Sequence, residues 1–265
     1  MQVSTYLTVA RMSFLQSLAY RAFTFSILVS YPVIIFANYF LYTAIFASNQ
    51  NIAGFTLSQM FTYITVGWIV RSFYRTEVDG FIGQAVVSGD IALDLMKPVN
   101  LIALNLARAV GESAFRFLSL SIPLCVIFFF LNSLMPPHDT VTFLYFILSV
   151  FNGYLLGFGI SFITGVSAFF FESSSEISWT VDLVVKLLAG LYVPLNFFPD
   201  AIASVFKYLP FQGIHFIPLQ IYLGKLSGPQ ISQAIASQMV WLAIIFTLCH
   251  LLLKAGTKKL SIQGG

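Results

Sequence analysis

Charge is scarce in this sequence. Only 9% of its 265 residues are Asp, Glu, Lys or Arg, whereas a soluble domain carries about a quarter. So few charges cannot cover a water-exposed surface of this size, so the solvent is mostly lipid. Cysteine is nearly absent: Cys125 and Cys249 both fall in apolar stretches and read as small buried hydrophobes. The three histidines, at 138, 215 and 250, lie far apart, and neither H-E-x-x-H nor C-x-x-C occurs, so no metal site is expected. The phosphate-cradling loop is also missing. Its only partial echo, Gly224-Lys225, lacks the upstream glycine and is followed by leucine. The chain therefore has no ATP-binding apparatus of its own. Gly157-Phe158-Gly159 opens like a dinucleotide fingerprint, but Phe162 stands at the third glycine position and no strand precedes it. No G-x-S-x-G elbow marks a nucleophile, and a formal charge of +3, widely scattered, does not suggest nucleic acid.

What is present is apolar length. Hydrophobic residues make up 58% of the chain, and mean hydropathy is +0.88. No linker or low-complexity tract interrupts residues 1–265, which read as one integral domain. The N-terminal apolar run is too long for a secretory signal and lacks a small-residue cleavage site, so it reads as retained. No residue from 22 to 70 is charged, and in lipid such a run must be helical because every backbone amide needs an internal partner. It exceeds one span of roughly 20 residues. The polar patch Ser48, Asn49, Gln50 and Asn51 divides it into spans at 22–47 and 57 to about 73. Further spans are expected at about 117–135, 141–171, 177–197 and 234–253, six in all.

Lysine and arginine set the orientation. With a cytoplasmic N-terminus, ten basic residues fall inside (Arg11, Arg21, Arg71, Arg75, Lys97, Arg108, Arg116, Lys254, Lys258 and Lys259) and two, Lys207 and Lys225, outside. Both termini are thus expected in the cytoplasm. Residues 1–21 place Val3, Leu7, Ala10, Phe14 and Leu18 at helical spacing, as in a helix lying on the inner membrane face. Residues 199–229 hold prolines at 199, 210, 218 and 229 around apolar pieces too short to cross a bilayer. A pair of short helices dipping into the outer leaflet is expected there.

Some residues are candidates for function. Gly153, Gly157, Ser161 and Gly165 form an every-fourth ridge of small residues, which serves close helix packing or a surface that slides. Asp182 and Lys186 lie one turn apart inside the fifth span, where charges are costly and pair or face a polar cavity. Asp182 reads equally well as snorkelling to the interface; Lys186, deeper, is expected to face the protein interior or a translocation cavity. Phe61, Tyr63 and Trp68 on the second span are further cavity candidates. Residues 71–116, with five basic and five acidic side chains, form the main aqueous excursion. Within it, 77–87 suits a short amphipathic helix, Ser88-Gly89-Asp90 a turn, and 91–96 a second short helix stopped at Lys97-Pro98. From Asn100 the periodicity is helical again and runs into the third span.

The stretch 87–100, with Gly89-Asp90 leading to Leu95-Met96-Lys97-Pro98, resembles the cytoplasmic loop of permease subunits of type-two ATP-binding-cassette exporters, with Met96 where leucine is usual. Gly190-Leu191-Tyr192-Val193-Pro194 through Pro199 resembles that family's fifth-span exit. Leu209-Pro210-Phe211, the 218–224 segment and the tail from Ala255 to Gly265 follow in the same order. The resemblance spans the chain and implies an all-α bacterial plasma-membrane protein. It implies two permease chains side by side, identical or paralogous, and a separate ATPase subunit that holds the ATP and Mg, with no cofactor on this chain and membrane lipids as its surroundings. It further assigns a cytoplasmic coupling helix between spans 2 and 3 (Glu77, Asp79, Gly80, Ile82 and Gly83, with Gly89, Asp94, Lys97 and Pro98 beyond) and an outer re-entrant hairpin between spans 5 and 6. A non-transporting scaffold and a lipid-modifying membrane enzyme are the competing readings.

Overall fold

A computed structural model describes residues 2–19, 21–74, 76–131, 134–137, 139–171 and 175–260. Arg75, His138 and residues 261–265, which entered the sequence reading, lie outside the described residues, as does the side chain of Arg21. Among the described residues the architecture is helical, and the extended backbone is limited to one isolated bridge, Ile52 to Phe55. Four stretches are long and apolar enough to cross a membrane: Thr24–Ile45, Leu101–Phe130, Thr140–Phe169 and Gly228–Lys259.

Helix α1 (Gln2–Ala19) packs along α6 (Leu101–Arg116). The approach is possible because residue 111 is glycine; a Cβ there would overlap the Ala10 carbonyl. Phe14 meets Phe115 edge to face at 5.7 Å, and the Tyr6 hydroxyl accepts the Asn100 N–H at 3.2 Å. Ala10 and Phe14 thus serve the interhelical seam, whereas Val3, Leu7 and Leu18 of the same expected face are exposed. Helix α2 (Arg21–Ile45) turns Phe25, Val29, Val33, Phe36 and Phe40 outward at helical spacing.

Helix α3 (Leu57–Tyr74) is the axis of the molecule, with fourteen of its eighteen residues buried. A reciprocal capping box starts it: Thr56 N donates to Gln59 Oε1 (3.2 Å) and Gln59 N to Thr56 Oγ1 (3.3 Å). Wrapped by protein, α3 does not need the uniform apolarity of a lipid-facing helix, and it is not among the four apolar stretches. Helices α4 (Val78–Ser88) and α5 (Ile91–Leu95) are joined through Gly89, whose φ of 84° is the left-handed cap that glycine tolerates best.

Asn100 caps α6 by accepting the Ala103 N–H at 3.0 Å. The helix continues through a π turn at Phe117–Ser121 into α7 (Ile122–Phe130), giving 30 residues of continuous helix, roughly 45 Å. The π turn sits just before Pro123, whose missing N–H interrupts the ordinary ladder. The second apolar stretch, which answers to the third expected span, therefore begins sixteen residues before position 117, inside the segment read as aqueous.

Asp139 caps α8 (Thr140–Val166), accepting the Thr142 N–H at 2.7 Å. Helix α9 (Ser175–Leu188) ends well short of residue 197. Gly190, at φ 74°, turns the chain, and Pro194 leads into a 3-10 turn at Leu195–Phe197. The fourteen residues of α9 reach roughly 21 Å, against about 30 Å of bilayer hydrocarbon. Two seven-residue helices follow, α10 (Asp200–Phe206) and α11 (Phe216–Tyr222), and the latter buries Ile217 to Ile221. Helix α12 (Gly228–Leu260) is longer than the expected 234–253 at both ends.

Candidate functional site

The small-residue ridge of α8 divides into three uses. At Gly153 a Cβ would stand 2.7 Å from the Tyr74 hydroxyl and 2.8 and 2.9 Å from the Ile214 and Gly213 carbonyls, so α3 and the turn before α11 press on it directly. At Gly165 a Cβ would meet Ile82 at 2.8 Å and the Asp79 backbone at 3.0 Å, so α4 lies across the end of α8. Between them, Gly157 has nothing within 4 Å. It packs no helix and lines a cavity instead. The close approach to α12 is made by Gly159, which lies off the ridge and faces Ile245 and Cys249.

That cavity, about 420 Å³, lies among α3, α4, α8, α9 and the turn before α11. Arg71 and Tyr74 come from the end of α3; Glu77, Asp79 and Gly80 from the start of α4; Gly157 and Ser161 from α8; Ser178, Asp182 and Lys186 from α9; and His215 from the entry to α11. Its charges are arranged in order. Arg71 Nη2 lies 2.6 Å from Asp182 Oδ1, and Lys186 Nζ lies 2.5 Å from Oδ2, so one carboxylate holds two cations and ties α9 to α3. Arg71 is buried, and such a cation requires a partner. On α4, Asp79 accepts a hydrogen bond from Ser161 Oγ at 3.0 Å. Glu77 is engaged by Arg116 (3.1 Å), which also holds Glu112 at 2.5 Å. The His215 ring stacks on Tyr74, with centroids 5.3 Å apart. Among the described residues, His215 Nδ1 and Ser178 Oγ are buried without a hydrogen-bond partner.

Asp182 and Lys186 thus both line the cavity, and Lys186 is only 20% exposed. Phe61, Tyr63 and Trp68 do not line it. They fill an aromatic core: Phe61 against Tyr39 at 4.5 Å, Tyr63 against Phe55 at 5.7 Å, and Trp68 between Tyr31 and Tyr192. The Tyr63 hydroxyl donates to the Gly190 carbonyl at 2.6 Å, fixing the turn that ends α9. Arg71, Tyr74, Ser178 and His215 are cavity residues that no motif marks; a buried arginine at the foot of an otherwise uncharged run is the signal that could have found Arg71.

The segment carrying the coupling residues has two faces. Ile82 and Gly83 are buried against the rest of the fold, and Asp79 bonds to α8. Gly80, Phe81, Gln84, Val87 and Gly89 are exposed, continued on and after α5 by Leu93, Met96, Lys97 and Pro98. Asp94 sits beneath this surface between Lys97 (2.6 Å) and Arg108 (3.2 Å). Burial pushes its carboxyl up, but the hydrogen bond and charge from Lys97 and the charge of Arg108 outweigh this and hold it below the usual range. Among the described residues no cluster of His, Cys, Asp or Glu could hold a metal ion.

A comparison with curated proteins gives no match. The family model described as "ABC-2 family transporter protein" matches residues 33–264, from within α2 to beyond α12, and so takes in both the cavity and the α4–α5 surface. Members are the non-catalytic transmembrane component of transporters that work with an ABC ATPase. The match covers most of a helical chain with four apolar stretches of membrane-crossing length, and the chain accordingly belongs to the ABC-2 family as a multi-pass membrane permease subunit.

Proposed function

We propose that this permease exports its substrate when a separate ATPase subunit, bound to the exposed face of α4 and α5, drives a second arrangement of the cavity. One observation carries this reading. Helix α4 presents Phe81 and Val87 outward, 44% and 65% exposed, while its inner side supplies Asp79 to the cavity wall. A force applied outside therefore moves the cavity wall without an intervening element. The helix is firmly seated at its start: Glu77 is tied to Arg116, and its own N–H donates to Glu112 Oε2 at 3.3 Å.

In this arrangement six segments cross the bacterial plasma membrane, with both termini in the cytoplasm. The four apolar stretches are joined by α3, shielded by its neighbours, and by α9 with the turn that follows it. Helix α1 lies on the inner face, and α10 and α11 form the outer re-entrant pair. Two permease chains place their α9 sides together, because α9 is packed loosely and exposes Trp179, Leu183 and Leu187. The ligand shifts the population only through its differential affinity for the two arrangements.

Co-expression with an ATPase encoded beside this chain provides the test. The Phe81→Asp/Val87→Asp double variant is expected to abolish co-purification and ATP-dependent transport into inverted vesicles, while the permease remains folded. A scaffold would keep the ATPase bound with no transport in the wild type. A lipid-modifying enzyme would yield a lipid product without ATP. Either result would overturn the reading.

A further inference from the structure

The cavity carries more polar capacity than its own residues use, and that capacity is divided between two walls. On the α3–α9 wall, Arg71 and Lys186 share the single carboxylate of Asp182, leaving one positive charge in excess. Each cation also retains N–H donors beyond the one given to Asp182. On the α4 wall, Asp79 is hydrogen-bonded to Ser161 and is in no ion pair among the described residues. Glu77, beside it, is already engaged by Arg116. Between the walls, His215 is 2% exposed, and its Nδ1, like Ser178 Oγ, has no partner among the described residues. Buried polar atoms without partners are rare, and each calls for one. A volume of about 420 Å³ is within the range of small-molecule sites.

We infer that this cavity is a binding site for a small zwitterion, with the anionic group of the ligand against Arg71 and Lys186 and its ammonium against Asp79. The anionic group pairs with the surplus cation beside Asp182 and the ammonium with the carboxylate of Asp79. The alternatives leave one wall uncompensated: a simple anion would sit beside an unpaired Asp79, and a simple amine would sit opposite surplus cations. His215 and Ser178 would supply neutral hydrogen bonds to the oxygens of the ligand. The ligand then bridges α9 and α3 to α4, the same helix that carries the outward docking face. The inference rests on the transport reading only for what binding accomplishes, because recognition itself needs no ATPase. The shared chemistry, one oxyanion and one ammonium a few bonds apart, occurs in free amino acids and in ethanolamine phospholipid headgroups.

The test uses the full chain alone in nanodiscs of phosphatidylcholine, titrated by calorimetry. One arm uses leucine, with 4-methylpentanoate and 3-methylbutylamine as its single-charge halves. The other uses glycerophosphoethanolamine, with glycerophosphate and ethanolamine as halves. At least one zwitterion is expected to bind roughly tenfold or more tightly than either of its halves, since removing one charge-assisted hydrogen bond weakens binding by about that factor. The arm that responds identifies the source. In the Asp79→Asn variant that preference over the anionic half should disappear, and in Lys186→Gln the zwitterion should bind roughly tenfold more weakly. An unchanged thermal unfolding transition shows that each variant is folded. Equal binding of a half and its zwitterion in the wild type overturns the inference, as does the absence of saturable binding in both arms. Because no nucleotide or partner is present, these results stand apart from whether the ATPase drives transport.

Discussion

Helix α8 has a neighbour on each side and treats the two in opposite ways. Toward α12 the seam is dry and locked. Gly159 brings the helices close enough for Cys249 Sγ to approach the Gly159 carbonyl at 3.5 Å. Gln238, 1% exposed, donates to the Ser149 and Gly213 carbonyls at 3.0 and 2.7 Å and accepts from Ser149 Oγ at 3.1 Å. Toward α9 the seam is open. Gly157 faces empty space, and the ion pair that holds α9 runs from Asp182 to Arg71 on α3 rather than to α8. One helix thus joins a rigid spine on one side to a charged, hollow wall on the other. A transporter needs both: a part that holds still and a part that moves against it.

The comparison breaks most severely if the locked seam tolerates change. Gly159→Ala is expected to destabilise the chain by about 1–3 kcal/mol, because the new methyl meets the stiff, branched Ile245. Gln238→Leu should cost a similar amount, about 1–3 kcal/mol, by stranding two buried carbonyls. Thermal unfolding in detergent measures both. Two residues away, Gly157→Ala should be neutral or stabilise by up to about 1 kcal/mol, since nothing obstructs the methyl and the unfolded chain loses freedom. A loss of stability there as large as at Gly159 would erase the distinction between the seams.

The two seams also differ in how far they can be read from sequence. The ridge of small residues on α8 is visible as a period of four, but the period does not say which member is packed and which is left open; that depends on where α3, α4 and α12 arrive. The cavity is harder still. Asp182 and Lys186 announce themselves as charges in an apolar run, yet Arg71 lies 111 residues away from Asp182 and resembles an ordinary inside charge. His215 sits in a proline-rich stretch with no motif. Phe61, Tyr63 and Trp68 share a helix with Arg71 but pack among aromatic rings instead of lining the cavity. The short helix at 200–206 is legible because Pro199 and Pro210 bound it, whereas Pro218 lies within the helix at 216–222. The early end of α9 is not, because the left-handed turn at Gly190 is set by Tyr63 reaching across from α3.

Further effects sharpen the contrast on the open side. Asp182→Asn should lower stability by about 1–3 kcal/mol, because the buried Arg71 loses its carboxylate, while removing most transport activity measured in vesicles. An unchanged stability would mean that Arg71 does not depend on this ion pair. The smallest effect is expected beneath the exposed α4–α5 surface. The Asp94 carboxyl is held below its unfolded value, so its stabilising pairing is complete above about pH 4 and fades as pH falls through the lower, folded value. Hydrogen exchange of α5 should accelerate only in that acidic window, and Asp94→Asn should remove the dependence.

The claim that α4 transmits force from a partner ATPase to the cavity is tested most directly at Gly157. With Cys125→Ser and Cys249→Ala as background, the Gly157→Cys variant is reconstituted with the ATPase, and its labelling by a membrane-impermeant thiol reagent is followed with and without ATP. The account predicts that ATP changes the labelling rate several-fold, and that Phe81→Asp/Val87→Asp abolishes the change. A labelling rate indifferent to ATP while the ATPase is bound and active would contradict it.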